Sequence, residues 1–235
     1  MKKFPILIIC YQRSVELLKV IESVKALNPS KIYFHIHDSD NTEDQILVDE
    51  AKAVIESYQG AKEVLHSKEL LGTYNSIVSA FKWIAKTEST FYVFEDDIVF
   101  TGNAKAVQKA IQKLDKTGNG ILKFGERNKL PIFWGWACTA KSAIDFCEFD
   151  FTKLNYEDFK KNVHSEDHFK ALVHMYKQDS HMAWDDEFDF VQKCTNMNVD
   201  ITEQEHTQHI GEITTRKASD KFENWSVHLI DGVIQ

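Results

Sequence analysis

The stretch FYVFEDDIVF, Phe91 to Phe100, places three consecutive carboxylates, Glu95, Asp96 and Asp97, inside one of the most apolar runs of the chain. FYVF has the length and the aromatic and β-branched content of a buried strand. If that strand is parallel and central, it delivers the three acids to the carboxyl edge of a sheet, where open α/β proteins bind ligands. Adjacent anions repel, and burying them without partners is costly. A cation therefore belongs among them. A hard divalent ion that keeps some water and also takes phosphate oxygens, as Mg²⁺ and Mn²⁺ do, fits that setting. A solvated acidic turn is the plainer alternative.

Outward from this stretch, strand-like runs alternate with segments of helical period. PILIIC, KIYFHIH, KEVLHS and TFYVF are the strand candidates of the first half. Ser14 is placed to cap a helix carrying Leu17, Leu18, Ile21, Val24 and Leu27 on one stripe, stopped by Asn28-Pro29. Thr42 to Gln45 has the spacing of a capping box, and Ile46, Leu47, Ala51, Val54, Ile55 and Tyr58 follow at helical period before Gly60. A third helix is expected over Tyr74 to Ala85, with Ile77, Ala80, Phe81 and Ile84 inward, and a fourth over Ala104 to Lys116 before a strand at ILKF. The alternation predicts an α/β fold with a mainly parallel, doubly wound sheet.

From Pro131 the chain becomes rich in aromatic, His and acidic residues. FWGW, a helix over Tyr156 to Tyr176, a second from Asp185 to about Asn196 and a strand-like VDITEQE read as an irregular half laid over the sheet. With no repeat and no linker-like stretch, one domain over residues 1–235 is expected.

Composition narrows the partners. The net charge of -8, from 36 acidic against 28 basic residues without a basic run, argues against nucleic acid. No run approaches the ~18 to 20 apolar residues of a membrane span, and MKKFPILIICYQR lacks a small-residue cleavage site. A cytoplasmic protein without a transmembrane segment is expected, compatible with peripheral association with a membrane. Cys10, Cys138, Cys147 and Cys194 form no CxxC and read as free thiols.

A second acidic cluster, Trp184-Asp185-Asp186-Glu187, precedes a helical stripe of Phe188, Val191 and Cys194. A carboxylate beside an aromatic surface suits proton abstraction from a bound hydroxyl. An acidic helix start that offsets the macrodipole accounts for the same residues more plainly.

His35 and His37 share a strand face and open a different reading, a metal-dependent hydrolase. A barrel hydrolase needs about eight β-α units, more than this chain supplies. His164 and His168, four residues apart on the expected helix, are a further pair able to bind metal, though solvated surface is the commoner role.

In order, CYQRS, HIHDSDNTED, EDD, FWGWA and AWDDEF resemble the motifs of nucleotide-sugar-dependent glycosyltransferases of the glycosyltransferase-A fold. The likeness is to the inverting N-acetylglucosaminyltransferase that initiates complex N-glycans and to related bacterial sugar transferases. It implies a Rossmann-like nucleotide-binding half, residues 1–101, and an acceptor-binding half, residues 102–235. It further implies that Arg13 lies near the nucleotide, Asp38 contacts the base, Glu95 faces the donor sugar, Asp96 the ribose, and Asp97 ligates the metal. FWGWA, with Trp136, would underlie the acceptor, Trp184 would pack on the sugar and Asp185 would be the catalytic base.

His206, His209 and His228 lie toward the carboxyl terminus, where some enzymes of this fold supply a second metal ligand, and His228 is the candidate taken. Where the family carries a His ahead of the third helix, this chain has Thr73-Tyr74.

The resemblance thus implies an enzyme that uses Mn²⁺ or Mg²⁺ to move a sugar from a nucleoside diphosphate, UDP foremost, to a glycan or glycolipid hydroxyl with inversion. A nucleotidylyltransferase of the same fold normally shows a Gly-rich first loop, and CYQRSVE has no glycine. A non-catalytic carbohydrate-binding or adaptor protein on this fold would be expected to have lost some of the clustered carboxylates, all of which are present.

Overall fold

The computed structural model of the protein describes residues 2–127, 130–131, 135–150, 153 and 184–210. The first half follows the alternation of the sequence: β1 (Ile6–Cys10), α1 (Ser14–Val24), β2 (Ile32–His37), α2 (Thr42–Ser57), β3 (Lys62–Ser67), α3 (Gly72–Ile84) and β4 (Thr90–Glu95). Then come β5 (Ile98–Phe100), α4 (Ala104–Thr117), β6 (Gly120–Lys123), β7 (Glu126–Arg127), β8 (Leu130–Pro131), β9 (Trp136–Thr139) and α5 (Ala140–Cys147). After the interval from 154 to 183, α6 (Trp184–Cys194), β10 (Asn198–Ile201) and β11 (Thr207–His209) complete the described elements. The helix expected over Tyr156 to Tyr176 lies outside the described residues, as do His164 and His168.

Seven strands form one sheet in the order β3-β2-β1-β4-β9-β6-β10. Its neighbours pair in parallel except where β9 runs antiparallel between β4 and β6. Alternation along each strand splits the core into two layers, as a period of two requires. Tyr92 and Phe94 of β4 join Ile6 and Ile8 of β1 with α1, α2 and α4 on one face. Phe91, Val93 and Leu7 join α3, α5 and α6 on the other. Strands from before and after Thr101 share this sheet.

The inward face of α3 is the expected one: Ile77, Ala80, Phe81 and Ile84 are fully buried. In α1 and α2 most of the expected stripe is inward, Leu17, Ile21 and Val24 in the first with Leu27 just beyond it, and Ala51 and Ile55 in the second, and the departures are at the margins. In α1, Val20 is buried and Leu18 is exposed; in α2, Val48, Ala51 and Ile55 face inward while Ile46 and Leu47 are exposed. Each helix carries more apolar residues than one stripe can bury, so tertiary fit selects the face. Ser14 makes no cap and its hydroxyl donates to Glu50. In α2 the cap is Asn41, whose Oδ1 accepts from Asp44 N–H at 2.8 Å, while Gln45 Oε1 accepts from Ser39 N–H.

The hydrolase reading is corrected here, because the sheet is open and both histidines are packed into it. His35 is wholly buried with Nδ1 3.0 Å from Ser76 Oγ, and burial lowers its pKa to about 4. His37 stacks on Tyr11 with ring centroids 4.5 Å apart.

Candidate active site at the carboxyl edge of the sheet

β4 ends at Glu95, and the chain turns through Asp96 and Asp97 into β5. The turn carrying these two acids is buried rather than solvated: Asp96 and Asp97 are 4% and 3% exposed. The loop after β1 closes over them. Tyr11 N–H donates to Asp96 Oδ2 at 2.8 Å, and Arg13 Nη1 lies 3.2 Å from Asp96 Oδ1 and 2.5 Å from Asp97 Oδ2. The cation that three adjacent acids demand is, in this structure, a guanidinium.

Burial pushes the Asp96 carboxyl up to about 6, against the lowering pull of Tyr11 N–H and Arg13. Burial also works against the charge of Arg13, yet Asp96 and Asp97 raise its pKa overall. The partners fare differently because the Arg13 side chain keeps 37% of its exposure and much of its hydration, whereas that of Asp96 keeps 6%. At the carboxylate, desolvation dominates.

A raised carboxyl pKa gives stability that is fully present below the unfolded value of 3.8 and is lost as pH rises through about 6. Ionised Asp96 thus costs about 3 kcal/mol at neutral pH. Asp96→Asn keeps an oxygen for Tyr11 N–H and removes the buried charge. Urea unfolding should find it more stable than wild type by about 1 to 3 kcal/mol at pH 8 and no different at pH 4. Lower stability of the variant at pH 8 would mean that the Arg13 pair outweighs burial.

The second group beside Asp97 is His209, one of the three carboxyl-terminal histidines but not the one taken as the candidate ligand. β11 pairs antiparallel with β5, setting His209 opposite Ile98. Ile210 N–H donates to the Asp97 carbonyl at 2.9 Å, and His209 Nε2 stands 3.2 Å from Asp97 Oδ2. Arg13 and His209 meet the same oxygen. The path of this segment is cleared by glycines. An added Cβ would fall 2.1 Å from His206 Nδ1 at Gly102, 2.7 Å from Glu205 Cα at Gly125 and 2.5 Å from Thr207 Cγ2 at Gly135. His228, the expected second ligand, lies outside the described residues.

Asp38 follows β2, two strands from β4 and so about 10 Å across the edge. Its Oδ1 accepts from Lys52 at 2.5 Å and faces His66 Nε2 at 2.8 Å. The Lys52 bond, helped by His66, holds the carboxyl down at about 2. Asp38 is therefore a fixed anion, held by Lys52 of α2 and His66 of β3.

On the other layer, Trp184 opens α6 and stacks on Trp136, with centroids 6.0 Å apart at 21°. Trp136 is enclosed at 1% exposure between Trp184, Phe188 and Phe81. It supports Trp184 from beneath and offers no open face to an acceptor. Asp185 is the second residue of α6 by its backbone, and its side chain lies outside the described residues.

Among the described residues no group of three or more His, Cys, Asp or Glu is arranged to hold a metal. Asp97 and His209 offer two ligands at most, a carboxylate oxygen and an imidazole nitrogen. Such a pair fits a cation that draws its other ligands from phosphate and water, but not a closed all-protein site. The excess of negative charge favours the fit, since Asp96 and Asp97 share one guanidinium and Glu95 adds its charge nearby.

No protein-family model and no characterised protein matches the sequence. Solved structures match at the level of the fold. S. aureus TarS, residues 1–349, superposes with a TM-score of 0.50 at 9% identity over 89% of this chain, which spans 60% of that one. The galactosyltransferase LgtC, in complex with donor and acceptor sugar analogues, gives 0.46 at 12% identity over 85% of this chain and 73% of that one. The 4-diphosphocytidyl-2C-methyl-D-erythritol synthase of Anaerococcus prevotii gives 0.48 at 15% identity over 85% and 88%.

The mainly parallel mixed sheet, its strand order and the likeness to TarS define a glycosyltransferase-A fold. Among the described residues no helix is long and apolar enough to cross a membrane.

Proposed function

We propose that the protein is a metal-dependent glycosyltransferase that moves a sugar from a nucleoside-diphosphate sugar, a UDP-sugar, to a glycan hydroxyl with inversion. The observation that carries this reading is Asp97, buried at the carboxyl edge and met by His209 and Arg13. Asp97 and His209 are the residues that would hold Mn²⁺ or Mg²⁺, whose charge would neutralise the leaving diphosphate. Asp38 and Asp96 fix the nucleoside, and Glu95 and Trp184 position the donor sugar. Asp185 takes the proton of the acceptor hydroxyl as its oxygen bonds to the anomeric carbon from the face opposite the departing diphosphate. The finer likeness to the inverting N-acetylglucosaminyltransferase rests on EDD, Gly135-Trp136 and Trp184-Asp185-Asp186 in that order.

The test pairs binding with chemistry. UDP with Mn²⁺ should raise the melting temperature, by the equivalent of about 2.7 kcal/mol at one hundred times Kd, and do so more than GDP or CMP. Asp185→Asn should keep that shift and lower transfer about 10² to 10⁴-fold. Full activity in Asp185→Asn removes it as the base. The absence of a metal-dependent shift with any of the three nucleotides would favour a carbohydrate-binding or adaptor protein on this fold.

A further inference from the structure

Resting on that reading, we propose that Arg13 is a resident counter-ion that refuses a bare divalent cation and yields its place only when diphosphate arrives with the metal. Arg13 Nη1 bridges Asp96 Oδ1 at 3.2 Å and Asp97 Oδ2 at 2.5 Å. A Mg²⁺-sized ion on Asp97 must stand about 2.0 to 2.1 Å from a carboxylate oxygen, in space the guanidinium fills or borders. A dication and a guanidinium so close repel strongly in a partly buried site. A metal alone therefore has to expel Arg13 with nothing to receive it.

Diphosphate changes the balance. It brings negative charge for the cation and planar acceptor pairs for the guanidinium, which binds phosphate oxygens bidentately. Arg13 is free to move without dismantling the turn. It stands at the mouth of α1, makes no side-chain cap and is partly exposed, while Tyr11 N–H holds Asp96 independently. Metal and diphosphate consequently bind with positive coupling, and by linkage each strengthens the other by the same factor.

Mn²⁺ binding to the full chain, read from the electron paramagnetic resonance of the free ion with and without saturating UDP, tests this. Wild type should bind Mn²⁺ alone at least about tenfold more weakly than with UDP. Arg13→Gln should bind Mn²⁺ alone about tenfold or more tighter than wild type, so that the enhancement by UDP shrinks. Arg13→Lys, which keeps the charge, should behave as wild type. If wild type takes up Mn²⁺ with UDP but Arg13→Gln gains nothing for Mn²⁺ alone, the gate is overturned and the metal site stands. If Arg13→Lys matches Arg13→Gln, charge is not the cause and the gate is equally overturned. If neither wild type nor Arg13→Gln takes up Mn²⁺ even with UDP, the metal-dependent reading falls and the gate with it.

Discussion

Asp97→Asn should lower sugar transfer about 10³-fold, an activation penalty of about 4 kcal/mol. It should also abolish the part of the UDP-induced melting shift that depends on Mn²⁺. Asparagine fills the same volume but has no charge with which to hold a cation against a diphosphate. The substitution leaves the local fold in place. The Asp97 carbonyl that accepts from Ile210 N–H is backbone, and β5 pairs with β11 as a backbone ladder. A folded, inactive variant is therefore expected. Transfer within about tenfold of wild type would show that Asp97 does not hold the charge on which departure of the diphosphate depends.

The parts of the fold that could be read from the sequence are those encoded locally. The four β-α repeats announced themselves because strand length, helical period and stop signals fall within a few residues of one another. The turn at Asp96 and Asp97 was legible for the same reason: a triplet of acids in an apolar run has few physical explanations. The departures in α1 and α2, Leu18, Ile46 and Leu47, arise at the margin of an apolar stripe, where only the neighbouring layer decides what is covered. WACT, four residues of β9, is too short to show a period, yet among the described residues it is the one antiparallel strand of the main sheet, and it carries Trp136.

His209 escaped for a stronger reason. It reaches Asp97 because β11 pairs with β5, a contact between segments more than one hundred residues apart that neither segment specifies alone. A faint signal existed in Gly102, Gly125 and Gly135, three positions where a side chain would block residues 205–207. Glycines scattered over three loops do not reveal in sequence that they line one path. The candidate chosen from sequence, His228, and the histidine that stands against Asp97, His209, differ in nothing a composition or period could detect.

Trp136→Ala should have the largest effect on stability. The ring is 1% exposed, stacked on Trp184 and set edge-on to Phe188, with centroids 4.9 Å apart, and to Phe81 at 5.8 Å. Truncating a buried tryptophan costs about 3 to 5 kcal/mol, the cavity included. In a chain of this size that lowers Tm by on the order of 10 °C, measurable by calorimetry. The loss should also reach chemistry, since Trp136 seats the first residue of α6 and the backbone of Asp185 follows directly. The nucleotide side proposed above stands on β1, β2 and β4, so kcat should fall further than the affinity for UDP and Mn²⁺. Trp136→Phe separates support from contact. If it recovers both Tm and the acceptor KM, Trp136 acts by packing alone, as its burial implies. If Tm recovers while the acceptor KM stays high, the indole reaches the acceptor after all, and the enclosed geometry around Trp136 must open when the acceptor binds.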